Sequence, residues 1–277
     1  MKKRNKRWLS SLLCASLIVT LIFAGCTKKE APATQAENSE TPIVAGEVMI
    51  AAAASLQNAF EDTLIPEFNK IYPDVKIVGT FDSSGKLQEQ IEAGLDADIF
   101  FSAATKQMDA LVEKAFVNSA DVTSLLENEV VLITRKGSET PVTGFENMTE
   151  ASQLAIGDPA SVPAGQYAQE ILQSLGLWDS VSAKASLGTN VTEVLNWVSE
   201  GSADVGIVYA TDAASISDKV EIIAKAPAGS LKTPVVYPIA KLKNSSPDRT
   251  AAVDAFLEYL KSPDAAQVFE QYGFKPL

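Results

Sequence analysis

Short apolar runs alternate along this chain with longer stretches in which apolar residues recur every three or four positions. The runs fall at 48–52, 75–78, 98–102, 129–134, 154–157, 204–209 and 235–240. Each has the length of a buried strand and is bounded by small or turn-forming residues. The helical period fills 55–72, 84–93, 105–114, 164–175, 191–200, 248–261 and 265–272, with Pro66 predicting a kink or a restart in the first of these. Strand and helix in alternation predict an α/β protein with mostly parallel sheets. The sequence shows no internal repeat. "GSETPVTG" at 137–144 reads as a loop. "EVVLITRKG" is a candidate crossing into a second lobe and "TPVVYPIAKL" a candidate return. Lobe I is then expected at 47–128 with 232–277, and lobe II at 129–231.

The helix starts share a character. "IAAAASLQNAF" ends a strand in small residues and puts Ser55 where an N-cap is expected, ahead of the stripe Leu56, Phe60 and Leu64. "TFDSSGKLQEQIEAG" places Ser83 and Ser84 ahead of Leu87 and Ile91, with Gly94 as the stop. "GDPASVPAGQYAQEIL" breaks a strand with two prolines, then opens a helix at Pro163, leaving the N–H groups of Ala164 and Gly165 free. "GTNVTEVLNWV" uses Thr189 or Asn190 as a cap and exposes the N–H of Val191. A helix N-terminus carries unpaired donors and the positive end of a dipole, and so attracts anions. A single one is usually only a capped helix. Four that each follow a strand or short loop in an α/β fold can meet at the C-terminal ends of the sheets, where such folds take ligands. "DVGIVYATDA" adds a buried strand ending at Tyr209, whose hydroxyl is a donor at neutral pH or else a plain core aromatic.

Composition narrows the chemistry. There is no histidine among the 277 residues, which removes the usual general base and the imidazole metal ligands. Asp96 and Asp98 in "DAD" are two acids without further ligands and read as a turn, so no metal and no cofactor is expected. At the N-terminus, five basic residues precede an apolar stretch at 9–23 and "FAGC", a segment of export-signal length. Its end resembles the lipobox of bacterial lipoproteins, which implies cleavage after residue 25 and acylation of Cys26. The polar stretch 26–46 then reads as a flexible tether. Loss of residues 1–25 removes five positive charges and no acid, moving the net charge from −12 to −17. So acidic a domain is a poor partner for nucleic acid. Cys14 lies in the removed segment, so no disulfide forms within the mature chain.

The motifs "AAAASLQNAF", "FDSSGKLQEQIEAG", "ADIFFSA", "GDPASVPAGQYAQEIL", "VTEVLNWVSEGSADVGIVYATDA" and "EQYGF" occur in order over nearly all of 47–277. Together they resemble the periplasmic molybdate-binding proteins of ABC uptake systems. The resemblance implies a two-lobed type II periplasmic-binding-protein fold, each lobe a mixed, mostly parallel sheet flanked by helices, with the ligand in the cleft between lobes. It implies an oxyanion held by hydroxyls and backbone N–H groups without a basic side chain. Carried over by motif, the ligand residues are Ser55, Ser84, Ala164, Val191 and Tyr209. Asp82 stands where the family commonly has a small residue, and strand alternation predicts that it points outward. Gly85 and Lys86 replace a more usual Ser-Thr, and Lys86 reads as solvated.

The expectation is an extracytoplasmic, lipid-anchored, monomeric solute-binding protein. It would capture molybdate, and tungstate, by closing its lobes, deliver it to an ABC permease and catalyse nothing. The alternatives are a binding protein for sulfate or phosphate, a hydrolase using one of the serines, and a structural surface lipoprotein with no ligand.

Overall fold

The structure is a computed structural model, and it describes residues 44–277. The expected signal segment 1–25, Cys26 and most of the expected tether lie outside these residues. The chain runs β1 (Gly46–Ala53), a 3-10 turn (Ala54–Leu56), α1 (Gln57–Ala59), a π-helical turn (Phe60–Leu64), α2 (Ile65–Ile71), β2 (Val75–Asp82), α3 (Ser84–Glu92), β3 (Ile99–Phe101), α4 (Thr105–Glu113) and β4 (Thr123–Asn128). It continues with β5 (Val130–Arg135), β6 (Leu154–Gly157), α5 (Pro163–Ser174), α6 (Trp178–Ser182), β7 (Ala185–Gly188), α7 (Val191–Glu200), β8 (Val205–Tyr209), α8 (Ala210–Ser215) and β9 (Val220–Lys225). It closes with β10 (Val235–Lys241), α9 (Thr250–Leu260), α10 (Pro263–Gln271) and β11 (Lys275–Pro276).

Two sheets result. One has the order β11-β4-β10-β3-β1-β2 and the other β7-β6-β8-β5-β9. Both are mixed. Strands joined through helices pair in parallel, as β1 does with β2 and β3 and β6 with β7 and β8. Strands next to the crossings between sheets enter reversed: β10 is antiparallel to β3 and β4, and β5 to β8 and β9. The chain crosses from the first sheet to the second at Glu129, between β4 and β5, and returns between β9 and β10.

The helix expected over 55–72 is a composite. Pro66 lies in the first turn of α2, where its missing N–H costs nothing, and the π turn ahead of it absorbs the change of register. Phe60, fully buried in that turn, is ringed by Phe81, Phe101, Phe256 and Phe269 with centroids 6.0–6.3 Å away. The C-terminal helices thereby join the N-terminal strands in one core. On the opposite face of the first sheet, Leu87, Ile91, Phe100, Met108 and Leu111 form a separate core under α3 and α4.

Candidate functional site

The stretch 157–172 makes its crossing with almost no slack. The Asp158 carbonyl accepts from the N–H groups of Ser161 (3.1 Å) and Val162 (2.8 Å). Its carboxylate accepts from the Ala160 N–H (2.9 Å), an Asx turn. The Asp158 N–H donates to the Gly188 carbonyl (2.8 Å), tying the loop to the end of β7. α5 starts so close to the end of β6 that a Cβ on Gly165 would stand 2.0 Å from the Gly157 carbonyl oxygen. Glycine is required there for close approach, not for an unusual φ. The compression aims the N-terminus of α5, with Ala164 in its first turn, off the end of the sheet.

Four other segments end nearby. Ser55 follows β1, Ser83 and Ser84 follow β2, Val191 follows β7, and Tyr209 ends β8. Ser55, Ser84, Ala164, Val191 and Tyr209 all line one cavity, together with Ala53, Ala54, Asp82, Ser83, Ala103, Val162 and Pro163. The cavity is small, about 10 Å³. A site so tight suits an ion of a few atoms. Its lining has no lysine, arginine or histidine and one carboxylate, Asp82.

Hydrogen bonding sorts the lining groups into donors. Among the described residues, the N–H groups of Ser55, Ser84, Ala164 and Val191 have no acceptor outside their own helices, and helix geometry supplies none at a first turn. The Ala103 N–H donates to Ser84 Oγ (2.9 Å), which leaves the Ser84 proton free to point elsewhere. Ser55 Oγ lies 2.9 Å from Tyr237 Oη, and Asn128 Nδ2 donates to that same Oη (3.2 Å). Either oxygen of this pair can donate to the other, and when Tyr237 donates to Ser55 the Ser55 proton is left for the cavity. Among the described residues of the lining, two buried hydroxyls, Ser83 Oγ and Tyr209 Oη on residues 4% and 1% exposed, make no hydrogen bond of ordinary geometry, although Tyr237 lies beside the Tyr209 hydroxyl. A buried hydroxyl left unpaired costs about 1–3 kcal/mol, so these two are groups waiting for an acceptor. Burial, with Tyr237 close by, pushes the Tyr209 hydroxyl well above its usual pKa, so it remains a donor. Burial does the same for Tyr237.

Several sequence expectations are corrected here. Ser55 is not an N-cap. The strand ends at Ala53, the 3-10 turn begins at once, and Ser55 already sits inside it with its hydroxyl on Tyr237. Asp82 does not point outward. It lines the cavity, and its Oδ1 accepts from the Ser83 N–H (2.7 Å), Asn190 Nδ2 (3.2 Å) and Lys86 Nζ (3.4 Å). Lys86 is accordingly only part-exposed. Between Thr189 and Asn190 the cap of α7 is Asn190, whose Oδ1 accepts from the Glu193 N–H (2.9 Å). Sequence reasoning missed two contributors. Tyr237 carries no signal in the sequence beyond its strand, and Ser83 shows there only as part of a helix start.

Neither Ser55 nor Ser84 contacts a general base, their partners being a phenol and a backbone N–H. Asp98 accepts from the Met49 N–H, Ser245 Oγ and Arg249 Nε, and Asp96 pairs with Arg249. Among the described residues no group of three or more metal-ligating side chains is present.

Asp212 lies behind Tyr209, with its carboxylate accepting from the Tyr209 N–H (3.0 Å). Burial raises its pKa to about 7, against a lowering by that hydrogen bond. The folded protein therefore holds this proton up to about pH 7, while the unfolded chain releases it near pH 4. The Asp212 contribution to stability is expected to fall as pH rises through this window, by up to about 1.4 kcal/mol per pH unit. Asp212→Asn removes that slope. Thermal melts of both proteins from pH 4 to 8 check it, and parallel curves would refute it.

The sequence matches the bacterial extracellular solute-binding proteins over residues 48–275. It is 40% identical to a provisionally assigned ABC transporter substrate-binding lipoprotein of Bacillus subtilis, over 95% of this chain and 97% of that protein. It is 39% identical to the molybdate-binding protein ModA of Escherichia coli, over 91% of this chain and 96% of that protein. Among solved structures it resembles the substrate-binding domain of a provisionally assigned molybdenum ABC transporter from Clostridium difficile. That likeness has 36% identity and a TM-score of 0.63, and covers 83% of this chain and 99% of that one. The chain belongs to the bacterial extracellular solute-binding protein family.

Proposed function

We propose that this protein captures molybdate, and tungstate, outside the cytoplasm and delivers it to an ABC permease. The observation that carries this reading is a small cavity at the meeting of two sheets whose free polar groups are donors and whose lining has no cation. Such a site replaces the hydration shell of a fully deprotonated oxyanion with fixed dipoles. The high identity to the E. coli molybdate-binding protein favours molybdate among the deprotonated oxyanions.

The ligand residues are Ser55 and Ser84 from lobe I, and Ala164, Val191 and Tyr209 from lobe II. The Ser83 hydroxyl joins them as a further donor. The lobes divide as 47–128 with 232–277 and 129–231, and the crossings at Glu129 and between β9 and β10 act as the hinge. The ligand favours closure because it gains all donors only in the closed form. Sulfate, with shorter bonds, does not reach donors on both sides at once. Acylation at Cys26 anchors the protein as a monomer to the outer face of the cell membrane, in keeping with the B. subtilis relative.

Calorimetric titration of the protein with molybdate, tungstate, sulfate and phosphate tests the reading. The expected result is one-to-one binding of molybdate and tungstate, with sulfate weaker by at least about 100-fold, the equivalent of about 2.7 kcal/mol. Equal affinities for sulfate and molybdate would overturn the ligand assignment.

A further inference from the structure

An anion site is an odd place for a carboxylate, and Asp82 is the sole charged residue lining the cavity. Its side chain is 26% exposed, so it sits at the mouth rather than the floor. It is also heavily used. The neighbouring Ser83 N–H and Lys86 Nζ reach it from its own side, and Asn190 Nδ2 reaches it from the element carrying the other sheet's Val191. Asn190 is divided between two tasks. Its Oδ1 caps α7 by accepting from the Glu193 N–H, and its Nδ2 is thereby left to face Asp82. A single amide thus links the start of α7 to the start of α3.

The same rim carries two further bonds between segments of different sheets. The Gly85 N–H, one residue into α3, donates to the Ser161 carbonyl (2.9 Å). A Cβ on Gly85 would lie 2.3 Å from that oxygen, so its glycine permits the contact. Gln107 Nε2 on α4 donates to Gln166 Oε1 on α5 (3.1 Å). These contacts are backbone or neutral amide. The Asp82–Asn190 bond is charge-assisted, and such bonds are roughly twice as strong as neutral ones.

We infer that Asp82 is a positioning residue: with Asn190 it forms a clasp across the mouth of the cleft that slows escape of the bound oxyanion. Lys86 and the two N–H donors neutralise the carboxylate locally, so the anion meets a spent charge. This rests on the oxyanion reading above but asks something different of it, namely which contact sets the rate of release rather than which groups touch the ligand.

Two substitutions separate geometry from charge. Asp82→Ala removes the acceptor and the charge. Asp82→Asn keeps an acceptor for Asn190 and Ser83 and removes only the charge. Stopped-flow measurement of molybdate release is expected to show dissociation about tenfold faster for Asp82→Ala and about threefold faster for Asp82→Asn, which keeps a neutral hydrogen bond of roughly half the strength. Unchanged release from Asp82→Ala would overturn the clasp while leaving the ligand site intact. So would release from Asp82→Asn as fast as from Asp82→Ala, since charge alone would then account for the effect. Failure of the wild type to bind molybdate, tungstate or sulfate would overturn the oxyanion reading and the clasp's role with it.

Discussion

Gly165→Ala is expected to lower the stability of the unliganded protein by about 3 kcal/mol and its melting temperature by on the order of 10 °C. It is also expected to weaken molybdate binding by at least about tenfold. The cause is the distance at which α5 begins from β6. An added Cβ would meet the Gly157 carbonyl oxygen at 2.0 Å, the Gly157 carbonyl carbon at 2.5 Å and the Asp158 carbonyl carbon at 3.0 Å. All three are backbone atoms held by the β6 ladder and by the bonds of Asp158, so no flexible side chain can swing aside. Relief must come from α5, which carries the Ala164 N–H with it. A small movement of that donor is costly, because hydrogen bonds weaken steeply with distance and angle. Thermal melting without ligand and calorimetry with molybdate check the two halves. Normal stability and affinity in Gly165→Ala would show that the loop tolerates more slack than its geometry allows.

Tyr209→Phe is expected to move the same two quantities in opposite directions. Without ligand the Tyr209 hydroxyl is buried and unpaired, so deleting it removes a desolvation cost of about 1–3 kcal/mol. The melting temperature should rise by about 2–4 °C for each kcal/mol gained. With ligand the hydroxyl is a donor to an anion, a bond worth about 1.5–3 kcal/mol, and its loss should weaken molybdate binding by roughly 10- to 150-fold. The phenyl ring keeps the packing against Tyr237 and Tyr167, with centroids at 5.8 and 6.5 Å, so the pocket keeps its shape. A residue serving the fold alone would not show this split. A fall in melting temperature, or an unchanged affinity, would mean that the hydroxyl has a partner in the unliganded protein and no role in binding.

The sequence made the helix starts legible because they are written locally. Small residues at the end of a strand, a proline at a first helical turn and an Asn three residues before Glu193 each state their geometry within a few positions. β4 carries half-buried positions along most of its length, so the strand that precedes Glu129 shows no continuous apolar run in the sequence. Other features left no local mark. β7 is four residues long with an exposed middle, and β9 is an edge strand with an exposed face, so neither shows the buried run of a central strand. Ser55 differs from its expected capping role because a cap requires an extended backbone, and here the capping position is Ala53, two residues before Ser55.

The polar partners were the least legible. Tyr237 meets Ser55 across 182 positions and Asn190 meets Asp82 across 108, and neither pairing follows from periodicity or composition. Alternation along β2 gave the wrong side for Asp82 because the strand ends at that residue and the chain is already turning into α3. Asp82 contacts Lys86 and Asn190, and Gly85 contacts Ser161, all from the one short segment "DSSGK".

The central claim is that one oxyanion lies among the donors of Ser55, Ser84, Ala164, Val191 and Tyr209. The measurement that tests it most directly is a crystal structure of the protein with molybdate, using anomalous scattering at a wavelength where molybdenum dominates. The expected result is a single strong peak inside this cavity, with oxygen atoms about 2.7–3.1 Å from donors on both lobes. A peak elsewhere, or an empty cavity in crystals grown with saturating molybdate, would contradict it.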